Sequence, residues 1–177
     1  MTLDIRRLSS LGAFKALRIL PLFLLLSCEN VSCPLETTVE SVYGFYASDR
    51  DADGVFYPGS AIAIADTLTI TDISLGSVLV NRLVGQSSVK MPVSYYAEAD
   101  SFEFCFTDTT GRFVYDAIYI SKYSHPHWDD PSCPVKMWHE ITGVTSTHHV
   151  IDTIIISNPY VNYEGKENLQ IYFRTSN

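Results

Sequence analysis

Ser101-Phe102-Glu103-Phe104-Cys105-Phe106-Thr107 decides how this chain is read. Three phenylalanines occupy alternate positions, separated by Glu103 and Cys105. Successive side chains of a strand point to opposite faces, so one face of this segment is aromatic and the other is not. Outward from it, similar alternation recurs at 39–46, 67–72, 77–83, 116–123, 135–141, 150–157 and 169–175, with Leu169, Ile171 and Phe173 on one face of the last. Turn signals lie between the runs: Asp53-Gly54, Pro58-Gly59, Thr110-Gly111, Asn158-Pro159 and Glu164-Gly165. No helical stripe follows Cys28. Short strands at this spacing predict an all-β domain, a single immunoglobulin-like β-sandwich, mostly antiparallel, of about eight strands. Phe102, Phe104, Phe106, Ile154 and Ile156 are expected in its core, and the apolar run 151–156 as a central strand.

The first thirty residues read differently. Arg6, Arg7, Lys15 and Arg18 stand against one acid, Asp4. An apolar run from Ile19 to Leu26 then ends at Leu25-Leu26-Ser27-Cys28. A basic start, a short apolar middle and a small residue before the cut are the parts of a secretory signal peptide. A transmembrane helix needs about 20 apolar residues, far more than this run supplies. Leu-x-Ser-Cys resembles a lipobox, in which Cys28 is acylated and becomes the first mature residue. The expected organisation is therefore a signal peptide at 1–27, a lipidated tether at 28–36 and a β-domain at 37–177. Two or more acyl chains hold such a protein stably on a membrane.

The chain carries 12 Lys+Arg and 20 Asp+Glu, a formal net charge of −8. Removing residues 1–27 leaves it more acidic still. Phosphate contacts from Lys and Arg dominate nucleic-acid affinity, so a nucleic-acid partner is not expected. With Cys28 lipidated, Cys33, Cys105 and Cys133 remain, and an exported protein meets an oxidising compartment. Cys33 and Cys133 both precede proline in polar surroundings, whereas Cys105 lies in a strand among phenylalanines. The expected disulfide is Cys33–Cys133, with Cys33–Cys105, Cys105–Cys133 and three reduced thiols as competing states.

Two local patterns suggest metal. Asp49-Arg50-Asp51-Ala52-Asp53-Gly54 has the alternate acids and glycine of the front half of a calcium loop. Ser60 stands where a bidentate Glu would close the loop, so any calcium site at Asp49, Asp51 and Asp53 would be weak. His125-Pro126-His127-Trp128-Asp129-Asp130 offers zinc-type ligands, with His125 and His127 as the candidates and no third ligand at a characteristic spacing. Against these stand an ordinary solvated loop for each. Catalytic signatures are missing: no Gly-x-Ser-x-Gly elbow, no His-Glu-x-x-His and no glycine-rich phosphate loop. Trp138-His139-Glu140 sits in a strand pattern, where neighbours face opposite ways.

Several segments together resemble a family of uncharacterised Bacteroidota lipoproteins known as domain of unknown function 6452. They are Cys33-Pro34, Asp116-x-Ile118-x-Ile120-x-x-Tyr123, Ser132-Cys133, Ile151-Asp152-x-Ile154-x-Ile156-x-Asn158 and Asn168-Leu169-x-Ile171-Tyr172. The resemblance implies an exported, lipid-anchored, mostly β domain and no particular activity. Pro134 departs from the glycine that members often carry there. The expected function is a non-enzymatic binding or structural module of the cell envelope, held by its lipid on the outer membrane. The alternatives are a calcium- or zinc-dependent enzyme or binder and an accessory lipoprotein docked on an outer-membrane protein.

Overall fold

The computed structural model describes Cys33 and residues 38–174. The expected signal peptide, the expected lipidation site Cys28 and most of the expected tether lie outside the described residues. The described chain is all-β, with eleven strands: β1 Glu40–Arg50, β2 Phe56–Ala61, β3 Thr67–Asp72, β4 Ser77–Leu83, β5 Ser88–Pro92, β6 Ala99–Thr107, β7 Phe113–His127, β8 Lys136–Ser146, β9 Ile151–Ile156, β10 Tyr160–Val161 and β11 Glu167–Arg174. The expected count of about eight is corrected to eleven. The three additions are β2, β5 and β10, all short and all at sheet margins.

One sheet has the order β2-β1-β11-β9, and β5 also pairs with β1. β5 takes the first half of β1 and β2 the second half, on antiparallel ladders. The other side of β1 runs parallel to β11, with Phe45 opposite Ile171. The second sheet is a run of antiparallel neighbours, β10-β8-β7-β6-β3-β4. Apart from β1–β11, the pairings are antiparallel, as expected.

Alternation explains the core. Along β6, Phe102, Phe104 and Phe106 are buried while Glu103 is exposed. Leu68 and Ile70 of β3 sit opposite Phe106 and Phe104 and are equally buried. Ile118 and Ile120 continue this face on β7, and Phe45, Leu169, Ile171 and Phe173 supply the first sheet's share of the same core. Phe173 packs edge to face against both Phe45 and Phe106, which ties the sheets together. Burying each such side chain contributes about 1.5–3 kcal/mol.

Two core expectations need correction. Ile154 and Ile156 are half-buried and pack against the core from its margin. Their strand, β9, is not central: it pairs with β11 alone and ends its sheet. Its apolar run is partly exposed, at Ile155, and its charged Asp152 is accommodated by cationic side chains.

Cys33 and Cys133 are disulfide-bonded, and Cys105 is the free cysteine among the described residues. This is the pairing expected. Cys105 points away from the phenylalanine face of β6, opposite Tyr115 of β7.

Candidate tyrosine groove and its buried polar floor

β7 positions the site. It is the longest strand, and its two faces differ sharply. Asp116, Ile118, Ile120 and Lys122 point inward and are buried. Phe113, Tyr115, Tyr119 and Tyr123 point outward and are exposed. β6 pairs with β7 only as far as Ala99 opposite Ser121. Beyond that point the connection from β5 crosses beside β7, and the Lys122 amide donates to the Glu98 carbonyl at 2.9 Å. The space left between this connection and β7 is an open groove of about 630 Å³ lined by Tyr95, Tyr96, Glu98, Ser121, Tyr123 and Ser124, among others. Tyr95 and Tyr96 pack edge to face, centroids 4.7 Å apart, and the Tyr95 hydroxyl donates to the Val135 carbonyl at 3.1 Å. Tyr96 is 89% exposed and Tyr123 63%.

The floor is ionic. Lys122 extends inward in register with Ile118 and Ile120, where an unpaired ammonium would be costly. It donates to the Ser94 hydroxyl at 2.8 Å and the Ala97 carbonyl at 2.5 Å, and lies 3.1 Å from the Asp100 carboxylate. An ammonium has three protons to give, so three partners account for its donors. These contacts also fasten the 94–100 segment to β7, which sets the groove's wall.

Beside Lys122 lies His139 of β8, 2% exposed, its Nδ1 2.7 Å from the Ser124 hydroxyl. Burial and then the Lys122 charge push His139 down to about 4, against an opposing pull from Asp100. A serine–histidine contact at a groove has the outline of a nucleophile and its base. The chemistry does not follow. A general base works best with a pKa near the operating pH, and His139 resists a proton throughout the neutral range. The carboxylate that could stabilise its imidazolium, Asp100, is paired with Lys122. Ser124–His139 is therefore a satisfied buried hydrogen bond. Burial likewise pushes the Tyr43 phenol up, out of reach of neutral-pH chemistry.

The expected metal residues are placed elsewhere and do not converge. Asp49 is the second-last residue of β1, and Asp51 and Asp53 lie on the exposed turn after it. Asp51 Oδ1 accepts the Asp53 and Val55 amides at 3.0 and 2.8 Å, and its Oδ2 accepts the Tyr57 hydroxyl at 3.2 Å. Gly54 takes φ +80° to complete the turn. Asp51 thus serves the backbone of a tight turn, and Asp49, Asp51 and Asp53 are not drawn together as a metal-holding group. His125 and His127 belong to the end of β7 and not to a loop. His127 stacks on Trp138 at 3.6 Å and sits 3.2 Å from Asp129, while His125 stacks on Tyr123. Asp129 also receives Lys136, whose presence holds its carboxyl below the usual range. No third ligand joins them, and among the described residues no group of three or more His, Cys, Asp or Glu side chains could hold a metal ion.

Several family-like positions turn out to be structural ties. Asp116 is fully buried and accepts the Thr147 hydroxyl and the amides of His149, Val150 and Ile151, at 2.7–2.9 Å. Burial acts to raise its pKa, but these donors outweigh that and hold the carboxyl below the usual range. Asp152 receives the Ser48 hydroxyl and the Arg50 guanidinium, with Nη2–Oδ1 at 2.6 Å. Asn168 accepts the Val42 amide at 3.0 Å and donates to the carbonyls of Asn158 and Tyr160. Each fixes one stretch of chain to another across the domain.

Fold and site together define an all-β domain whose buried polar groups bind their own backbone and whose open face is aromatic. The chain belongs to a family of unknown function, DUF6452, whose model matches residues 67–173, from β3 into β11. No curated protein and no solved structure matches it.

Proposed function

We propose that this protein is a cell-envelope lipoprotein whose β-domain is a non-catalytic binding module. The two sheets are read as the layers of an immunoglobulin-like sandwich, and the Leu25-Leu26-Ser27-Cys28 sequence as the lipid attachment site. The family reading carries with it a Bacteroidota source and an outer-membrane location. The observation that supports binding over catalysis is the division of β7. Its inward charges, Asp116 and Lys122, are consumed by internal bonds, while Tyr115, Tyr119 and Tyr123 stand exposed on the outward face. Exposed aromatics in a row are a feature of surfaces that engage other molecules.

Two measurements test this. In the native envelope, Cys28→Ser should leave the protein unprocessed or shift it from the membrane fraction; unchanged processing and unchanged detergent partition would count against the lipoprotein. Crosslinking through a photoreactive residue at position 119 should capture an envelope component. A control position on the exposed Asp51 turn should not. Equal capture at both positions would remove the case for a dedicated face. Capture of an outer-membrane protein through position 119 would favour the accessory role.

A further inference from the structure

We propose that the groove bounded by Tyr95, Tyr96 and Tyr123 binds a neutral oligosaccharide or polysaccharide chain; this deepens the binding-module reading and rests on it. Charge decides against the other stackable ligands. Lys122 is the one cation lining the groove among the described residues, and its ammonium is bonded to Asp100, Ser94 and Ala97. Glu98 lies on the lining, and Glu140 stands across the ladder from Tyr123. A strand of nucleic acid would find aromatic platforms here but no free cation for its phosphates. Acidic peptides and anionic glycans meet the same repulsion.

Shape and backbone narrow the choice further. The groove is open and about 630 Å³, within the range of small-ligand sites but much larger than a single ammonium group needs. It does not end blindly, because Tyr119 and Tyr115 follow Tyr123 on the same face of β7, each step being four residues or about 13 Å. That continuity suits an extended ligand. Peptides that bind sheets in extended form generally add a strand to a free edge. The tyrosine row lies on a face of β7 and not along an edge: β6 and β8 pair its two sides at 118–121, and past Ser121, where β6 ends, the Glu98 carbonyl takes the Lys122 amide. A ligand on this face must be held by side chains alone. Sugar rings answer that requirement: their C–H faces lie flat on aromatic rings, and their hydroxyls can donate to Glu98 and exchange hydrogen bonds with Ser121 and the tyrosine hydroxyls.

The test is affinity electrophoresis of the full mature protein in detergent, through gels containing soluble β-glucan, α-mannan or xylan. Polygalacturonate serves as the anionic probe, and tyrosine fluorescence titration with tetramethylammonium as the cationic one. Retardation by at least one neutral polysaccharide is expected, with at least a tenfold loss of affinity in Tyr96→Ala and Tyr123→Ala. Both rings are exposed, so neither variant should lower the melting temperature appreciably. No retardation by any neutral probe, retardation that survives both substitutions, or preference for polygalacturonate or tetramethylammonium would overturn the proposal. If glycan binding fails while position 119 still crosslinks selectively to an envelope protein, the binding module stands and its ligand is a protein. If both fail, the binding-module reading falls with it.

Discussion

Phe106 of β6 and Phe173 of β11 meet edge to face across the two sheets, ring centroids 5.5 Å apart. Neither ring shares a sheet with the other, so this contact reports directly on how the layers are joined. Phe106→Ala removes a buried ring and leaves a cavity, and should cost about 3–5 kcal/mol by urea unfolding. A double-mutant cycle with Phe173→Leu should show coupling of about 0.5–1.5 kcal/mol. Additive single effects would mean that the sheets are not joined through this pair.

Asp116 lies inside the core register of β7 and receives four donors from the segment between β8 and β9. Asp116→Ala deprives three backbone amides of their acceptor, of which that of Ile151 is buried, and one buried unsatisfied group costs about 1–3 kcal/mol, so a loss of at least that size is expected. Asp116→Asn keeps the shape but not the charge, and should lose less. Amide hydrogen exchange at Val150 and Ile151 should quicken in both variants. Unchanged exchange there would show that the carboxylate is not what holds this segment.

How much of this was legible beforehand depended on the range of the interaction involved. β3 and β4 coincide with the predicted 67–72 and 77–83, and β6 exceeds its prediction by two residues, because bulky apolar alternation is a local signal. Pro58-Gly59 signals a turn in the sequence, yet β2 pairs along the margin of β1, where a missing amide proton is tolerated. β5 buries Val89 and Met91 on one face but is only five residues long and ends in proline. Lys122 and Asp116 did leave a trace: both are charges in phase with Ile118 and Ile120, the mark of a buried polar group with partners elsewhere. The Asp49–Asp53 pattern is ambiguous in the sequence because alternate acids suit a turn as well as a cation, and the turn is what Asp51 serves. Tyr95 and Tyr96 carried no signal, since their importance comes from where the chain crosses β7.

The Cys33–Cys133 disulfide closes a loop of about 100 residues, for which the chain-entropy model gives up to ~4.7 kcal/mol and engineered or native bonds more often give 2–4. Cys133→Ser should therefore lower the unfolding free energy by roughly that lower range, and a reductant should reproduce the loss in the wild type. Cys105→Ser should change neither stability nor the response to reductant. Thiol labelling of the unreduced wild type under denaturing conditions should find Cys105 and not Cys33 or Cys133. Labelling of Cys33 or Cys133 in the unreduced protein would contradict the bond.

His139 should give the domain a specific loss of stability in mild acid. Burial and the neighbouring Lys122 push it to about 4, with Asp100 opposing and His125 adding to the fall. An unfolded histidine titrates near 6.5. Between these values the unfolded chain takes up a proton that the folded chain refuses, so folding is penalised as pH drops. The contribution is fully present above about pH 6.5, declines as pH falls, and is gone by about pH 4. A depression of this size corresponds to about 3 kcal/mol at the acid end. The depressed carboxylates, Asp116 and Asp152, act in the same direction but below the ordinary carboxylate range, so the windows separate. His139→Gln preserves a polar partner for Ser124 without a titrating ring. Urea unfolding from pH 7 to pH 4 should show a decline in the wild type that is about 3 kcal/mol steeper than in His139→Gln. Parallel curves would mean that the ring gains its proton in the folded state as readily as in water, and that the Lys122–Asp100 floor does not shield it.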